Sequence, residues 1–234
     1  MNISVVSWNI LKGERYDEIL QGLKELNADV FGLQEVAVWK DNRGNVGEKL
    51  AQELGYHLYF CPALPSQQSG RPYDLGNAIL SRFECKNQVC HQLSPADLYG
   101  DDWTTEPRNA VEVGMNSNET DVRVINTHVY YPRYGGKSEI SEMHFRNLDA
   151  LLSYEKTILV GDFNATMSTE PIKKINKILP NVDRENEDFT FIDREQQKMK
   201  IDHIFVSKDI IVKSFEVVET KGSDHLPIKV VIKV

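Results

Sequence analysis

Lys221-Gly222-Ser223-Asp224-His225-Leu226-Pro227-Ile228 is a polar turn that runs into a last strand of alternating apolar residues, Ile228 to Val234. The turn sets an acid and a histidine side by side at a sheet edge, within reach of solvent. An imidazole so placed takes up and releases protons near pH 7. Alone, such a pair is more often an ordinary polar turn. Four other strand ends carry groups of the same kind: Trp8-Asn9, Gln34-Glu35, Thr127-His128 and Gly161-Asp162-Phe163-Asn164. Ile201-Asp202-His203 adds another shortly before the last strand. Strand ends that share chemistry imply strands that end on one rim, where loops build a site.

Outward from these ends, the remaining sequence reads as strands broken by a few helices. Ile3 to Trp8 is a buried strand, and Tyr16 to Leu26 a helix with Ile19, Leu20, Leu23 and Leu26 on one face. Asp29 to Leu33 is the next strand. Glu48 to Leu54 is a helix that Gly55 stops, and Tyr56 to Cys61 is extended. Pro62 to Leu75, rich in Pro, Ser, Gln and Gly, reads as a loop. Ala78–Leu80, Glu84–His91, Ala110–Met115 and Val122–His128 read as successive antiparallel strands. Glu139 to Leu152 is an amphipathic helix, Thr157 to Val160 a short buried strand, and Pro171 opens a helix capped by Ser168 or Thr169. Ile201–Val206, Ile210–Val217 and Ile228–Val234 complete the set. The expected class is α/β (α+β): two mixed, mostly antiparallel β-sheets packed face to face with helices on the outside. No repeat or linker divides the chain, so residues 1–234 are expected to form one domain.

Composition narrows the function. With 234 residues, 41% of them hydrophobic, the chain can bury one large core. A net charge of -8 argues against a broad polyanion-binding face. Nucleic acid stays possible, because a local groove or a bound metal can outvote the net charge. Cys61, Cys85 and Cys90 lack metal spacing, and reduced thiols in a cytoplasmic protein are expected. No basic region followed by an apolar run opens the sequence, and no apolar stretch is long enough to span a bilayer. A monomer is expected.

Asn9, Glu35, Asp162, Asn164 and Asp224 are hard oxygen donors without a cysteine among them, a set that suits Mg²⁺, Mn²⁺ or Ca²⁺ rather than structural zinc. Clustered carboxylates without a cation repel and raise one another's pKa. His128 and His225 beside such a metal point to phosphate ester chemistry. The metal holds phosphoryl oxygens while imidazoles donate and accept protons.

Ser7-Trp8-Asn9-Ile10, Gly32-Leu33-Gln34-Glu35-Val36, Gly76-Asn77-Ala78-Ile79-Leu80-Ser81, Pro107-Arg108-Asn109-Ala110, Asn126-Thr127-His128, Gly161-Asp162-Phe163-Asn164-Ala165, Ile201-Asp202-His203-Ile204 and Ser223-Asp224-His225 resemble the successive motifs of the endonuclease/exonuclease/phosphatase superfamily. They occur in that family's order and span nearly the whole chain. The resemblance implies a four-layered sandwich around two mixed sheets. It also implies Mg²⁺, with Mn²⁺ as a substitute, held by Glu35 with Asn9 beside it and Asp224 close enough to serve. Asp162 and Asn164 then position the attacking water or the transition-state oxygens. His225 forms a dyad with Asp202 and acts as general base or phosphate contact. His128 matches a histidine that hydrogen-bonds the phosphate in deoxyribonuclease-like and sphingomyelinase-like branches. Arg108 holds the rim together or faces the phosphate, and Asn77 joins it on the substrate side. His203 departs from the aromatic residue usual after the dyad acid and is read as packing.

Members of this superfamily all break a phosphorus–oxygen bond and differ in their loops. Two segments frame the substrate here: the Pro62–Leu75 loop, and Tyr130 to Lys137 with Tyr131 and Arg133. The second segment's tyrosines either stack a base or sugar, or pack on one another. The expected activity is metal-dependent hydrolysis of a small or locally recognised phosphomonoester or phosphodiester. A nuclease acting on DNA or RNA is the alternative, followed by a catalytically silent binding module of the same fold.

Overall fold

A computed structural model of the chain describes residues 1–64, 70–95, 106–117, 120–132, 138–153, 155–183 and 188–234. One sheet contains six strands: β1 (Asn2–Asn9), β2 (Val30–Trp39), β3 (His57–Leu64), β4 (Tyr73–Ser81), β12 (Ile211–Val217) and β13 (Ile228–Lys233). Five form the other: β5 (Cys85–Gln92), β6 (Asn109–Ser117), β7 (Thr120–His128), β8 (Thr157–Asp162) and β11 (Asp202–Val206). The strand orders are β12-β13-β1-β2-β4-β3 and β11-β8-β7-β6-β5. A short hairpin, β9 (Phe191–Ile192) with β10 (Lys198–Met199), stands apart from both.

Each sheet holds one parallel pair, β1 with β2 and β7 with β8; the other neighbours are antiparallel. A parallel pair needs a crossover, and a helix supplies it in both cases: α1 (Tyr16–Leu26) after β1 and α3 (Glu139–Asp149) after β7. The two pairs lie against each other where the sheets stack, β1 on β8 and β2 on β7. Their ends therefore meet on one rim.

Period-two alternation separates the layers. In β1, Ile3 and Val5 face the second sheet with Val30, Val124, Ile158, Val160 and Ile204. Val6 and Trp8 face outward, under Ile19 and Leu23 of α1 and Leu50 of α2 (Val46–Leu54). Across the molecule, Ile125, Leu159 and Phe205 pack under Phe145 of α3 and Ile175 of α4 (Glu170–Ile178). Helix, sheet, sheet, helix is the four-layered sandwich that was expected. Where the sheets come closest, Gly32 leaves no room for a side chain: a Cβ there would stand 2.4 Å from Cγ2 of Val160.

Several boundaries depart from expectation. β2 runs on to Trp39, because a bulge between Leu33 and Val36 interrupts the alternation without ending the strand. β4 begins at Tyr73, so the end of the expected Pro62–Leu75 loop is strand, as is its start through Leu64; residues 65–69 lie outside the described residues. α2 starts at Val46, two residues early, because the Asn45 side chain caps it by accepting from the Glu48 amide. α3 ends at Asp149 rather than Leu152, and Thr169 stands at the cap of α4 without a side-chain cap bond.

The cysteines require a correction. Cys61 on β3 and Cys90 on β5 form a disulfide with Cα atoms 5.6 Å apart, and Cys85 is buried and free. β3 and β5 are edge strands of different sheets, a proximity that spacing in the sequence does not reveal. This removes the reduced-thiol argument behind the cytoplasmic expectation. Among the described residues no helix is long and apolar enough to cross a membrane.

Candidate active site

Asn9 ends β1 and pairs with Gln34 on β2. Gln34 turns inward, and its amide donates to Oγ of Ser7 at 3.1 Å and to Oδ1 of Asn126 at 2.6 Å, tying the two sheets together under the rim. Glu35 follows at the bulge with φ 52°, a left-handed conformation rare outside glycine. Such strain costs on the order of 1–3 kcal/mol and persists where the surroundings over-determine it. Here it re-aims the carboxylate into the cleft. Oε1 of Glu35 accepts from the Asn9 amide at 3.2 Å, and Oε2 lies 3.2 Å from Nζ of Lys12. Burial opposes the charge on Glu35, but Lys12, the Asn9 amide and Arg108 hold its pKa below the ordinary value.

The second sheet supplies the opposite wall. His128 ends β7 and Asp162 ends β8, paired directly across the parallel strands. Oδ1 of Asp162 accepts from the Asn164 amide at 2.9 Å. Its Oδ2 is the focus of the site: Nδ2 of Asn9 lies 3.0 Å away, Nε2 of His128 3.4 Å and Nε2 of His225 3.6 Å. Burial raises the Asp162 carboxyl to about 7, against the pull of His225.

Arg108 and Asn164 hold the His128 ring from its two nitrogens. The Arg108 guanidinium stands 3.0 Å from Nδ1, and the Asn164 side-chain amide stands 3.1 Å from Nε2, the nitrogen that faces Asp162. Burial, with Arg108 and His225 nearby, holds His128 well below its ordinary pKa and keeps the ring neutral. Asn164, at φ 49°, donates its side-chain amide to the Val129 carbonyl at 2.9 Å.

His225 is held from three sides. Its Nδ1 lies 2.8 Å from Oδ2 of the fully buried Asp202, which faces Asp162 in the β11–β8 register. The Phe191 ring stacks on the imidazole with centroids 4.6 Å apart, and the Trp8 indole donates to the His225 carbonyl at 3.0 Å. Thr190 fixes Asp202 in turn, accepting its backbone amide at 3.1 Å. Burial opposes a charged ring, yet Asp202 and Asp162 push His225 up to about 10.

Lys12, Glu35, Arg108, His128, Asp162, Asn164, Phe191 and His225 line a cleft of about 490 Å³ together with Arg71, Tyr73, Glu106, Arg194 and Asp224. Glu106 pairs with both Arg71 and Arg108. Of the expected metal ligands, Glu35 and Asn9 are in contact, and the exposed Asp224 lies on the same cleft. Oδ1 of Asn9 is engaged by the Leu11 amide at 3.1 Å. Asp162, Asp202 and His225 bring their ligand atoms within 4.8 Å of one another. The donor chemistry fits a hard divalent cation, with the Lys12 ammonium standing as a cation on Glu35.

The expected substrate residues divide. Arg108 is central. Asn77 lies behind the wall, donating to the Asn109 side chain at 2.7 Å, and reaches only a small adjoining pocket. Tyr131 does not line the cleft: it meets Phe145 edge-on at 6.1 Å and joins the outer core, because its ring lies under α3. Arg133 falls outside the described residues. His203 packs against both Phe163 and Phe205 and shares a 2.8 Å hydrogen bond with the Ala165 carbonyl. Sequence reasoning missed Lys12, Phe191, Thr190 and Glu106. None of these carried a signal: Phe191 is one of several apolar residues, with Phe189 and Ile192, in the approach to Asp202.

A sequence model described as the Endonuclease/Exonuclease/phosphatase family matches residues 6–225. No curated protein matches the chain in sequence. Among solved structures, an endonuclease/exonuclease/phosphatase from Beutenbergia cavernae is 19% identical with a TM-score of 0.81, covering 100% of this chain and 72% of the other. A mannosyl-6-phosphatase from Bacteroides thetaiotaomicron is 20% identical with a TM-score of 0.75 over 99% and 100%. ANGEL2, a 2',3'-cyclic phosphatase solved with adenosine-2',3'-vanadate, is 15% identical with a TM-score of 0.78 over 99% and 95%. At these identities the structural likeness speaks for the fold.

Proposed function

This chain belongs to the endonuclease/exonuclease/phosphatase family of phosphoric ester hydrolases, and from that premise we propose that it cleaves a small or locally recognised phosphoester with the help of a divalent cation, Mg²⁺ or Mn²⁺. The observation that carries the reading is the convergence of Asn9, His128 and His225 on one oxygen of Asp162. Glu35, Asn9 and Asp224 would hold the cation, which supplies Lewis-acid stabilisation of charge on phosphoryl oxygens. Asp162, raised by burial toward neutral pH, takes the proton of the attacking water at Oδ2. Nε2 of His225, protonated and steered by Asp202, donates to a phosphoryl oxygen where negative charge builds. His128 faces the phosphoryl group from the other side, its ring fixed by Arg108 at Nδ1 and by the Asn164 side-chain amide at Nε2. Asn164 completes the wall. Both histidines are pre-aimed, so no reorganisation accompanies the developing charge.

The cleft is of a size that encloses a small ligand, and the net charge of -8 disfavours extended duplex. Two of the three named structures are described as a mannosyl-6-phosphatase and a 2',3'-cyclic phosphatase, which accords with a compact substrate. Glu35→Gln tests the assignment: the variant is expected to fold and to lose Mg²⁺-dependent hydrolysis, since a neutral amide binds a hard dication far more weakly. Wild-type turnover by this variant at limiting Mg²⁺ would remove Glu35 from the site.

A further inference from the structure

Lys12 lies in the single turn Leu11–Gly13 that follows β1, and its backbone stands at φ 62°, with Leu11 beside it at φ 44°. Side-chain-bearing residues avoid this region unless something outside the turn holds them there. Two contacts do so. Oδ1 of Asn9 accepts the Leu11 amide at 3.1 Å, and the Trp39 indole donates to the Lys12 carbonyl at 3.1 Å. The strained turn delivers an ammonium to Glu35, 3.2 Å from Oε2, with the two side chains only 21% and 19% exposed. Lys12 also lines the cleft, as do Tyr73, Arg108 and His225. A lysine needed only for stability calls for no such placement, since ion pairs out of solvent do little better than apolar packing.

We infer that Lys12 is a built-in counter-cation of Glu35, exchanged for the divalent metal, and that once released it holds a non-reacting oxygen of the substrate's phosphoryl group. The inference rests on the reading of Glu35 as a metal carboxylate. A half-buried carboxylate facing the cleft needs a positive partner before the metal arrives. Two cations on one carboxylate repel, and the flexible four-carbon stem lets the ammonium leave without moving the backbone that Trp39 and Asn9 pin. Its remaining surroundings are the cleft, where an anion between Lys12 and Arg108 would offset the lost pair. Metal and phosphate would then favour each other's binding, because both draw on the released lysine. Lys12 thus acts as a positioning residue before metal binds and as a substrate contact afterwards.

Calorimetric titration of Mn²⁺ into wild type, Lys12→Met, Lys12→Arg and Glu35→Gln, each with and without inorganic phosphate, tests this. Lys12→Gln replaces Lys12→Met if the latter fails to fold. Without phosphate, Lys12→Met is expected to bind Mn²⁺ about tenfold more tightly than wild type, the equivalent of one half-buried ion pair, and Lys12→Arg to stay near wild type. Phosphate is expected to tighten Mn²⁺ binding in wild type and not in Lys12→Met. Unchanged or weaker Mn²⁺ binding by Lys12→Met, with binding lost in Glu35→Gln, overturns the role of Lys12 and leaves the metal reading standing. Wild-type Mn²⁺ binding by Glu35→Gln overturns both. Undiminished phosphate coupling in Lys12→Met overturns the substrate contact.

Discussion

Asp202→Asn isolates what the buried carboxylate does for His225. The change is isosteric, and Thr190 still accepts the backbone amide of residue 202, so the fold is expected to survive. The charge is lost, and an amide replaces an oxygen 2.8 Å from Nδ1. With charge centres ~4 Å apart and an effective dielectric constant of about 20, the missing attraction for a protonated ring is about 4 kcal/mol. If the transition state draws on the whole of it, kcat falls by about 10³. The amide can also donate to Nδ1, which leaves a neutral ring in place of the charged one that the carboxylate supports. The assay is steady-state hydrolysis of a chromogenic diester by Asp202→Asn, His225→Ala and the double variant, with circular dichroism as the check on folding. The double variant is expected to be little worse than the worse single one, as for groups that act as a unit. A loss below about tenfold in Asp202→Asn, or losses that multiply in the double variant, would refute the dyad.

Arg108→Met is expected to lower kcat by about 10- to 100-fold, as loss of a partner that orients a catalytic ring does; an unchanged rate would show that His128 needs no such control. His203, buried with its pKa lowered to about 4 from 6.5, is neutral in the fold, so the unfolded chain takes up the proton first as pH falls. Its stability contribution is complete above pH 6.5 and is lost progressively down to about pH 4, on the order of 3 kcal/mol in all. Denaturant titrations at stepped pH should show this slope flatten in His203→Asn; an equal slope would assign the acid sensitivity elsewhere. On substrate, kcat/KM for a small diester should fall only mildly with salt, while plasmid DNA should be a poor substrate. Efficient plasmid nicking with a steep negative salt slope would place a nuclease first.

The strand ends were legible because catalytic polar groups interrupt apolar alternation at fixed places: Asn9, His128 and Asp162 each close a strand. α1 was read to the residue, since Ile19, Leu23 and Leu26 repeat at helical spacing and Asn27 ends it in the left-handed conformation. The bulge at Glu35 hid the second half of β2, because an inserted residue flips the alternation on which strand reading depends. The β9–β10 hairpin was invisible, being two residues per strand around a polar connection. Lys12 and Phe191 had no legible role, because their partners Glu35 and His225 stand far away in the sequence and the contacts exist only once β1 pairs with β2 and the β9–β10 hairpin docks on the turn before β13. The Cys61–Cys90 disulfide was misjudged for the same reason.

The most direct test of the central claim is release of p-nitrophenolate from bis-p-nitrophenyl phosphate by the purified chain, with Mg²⁺ present, removed by EDTA, and replaced by Mn²⁺. The account predicts turnover with Mg²⁺, silence with EDTA and recovery with Mn²⁺, all abolished in His225→Ala. Turnover that survives EDTA, or that His225→Ala leaves intact, would contradict it.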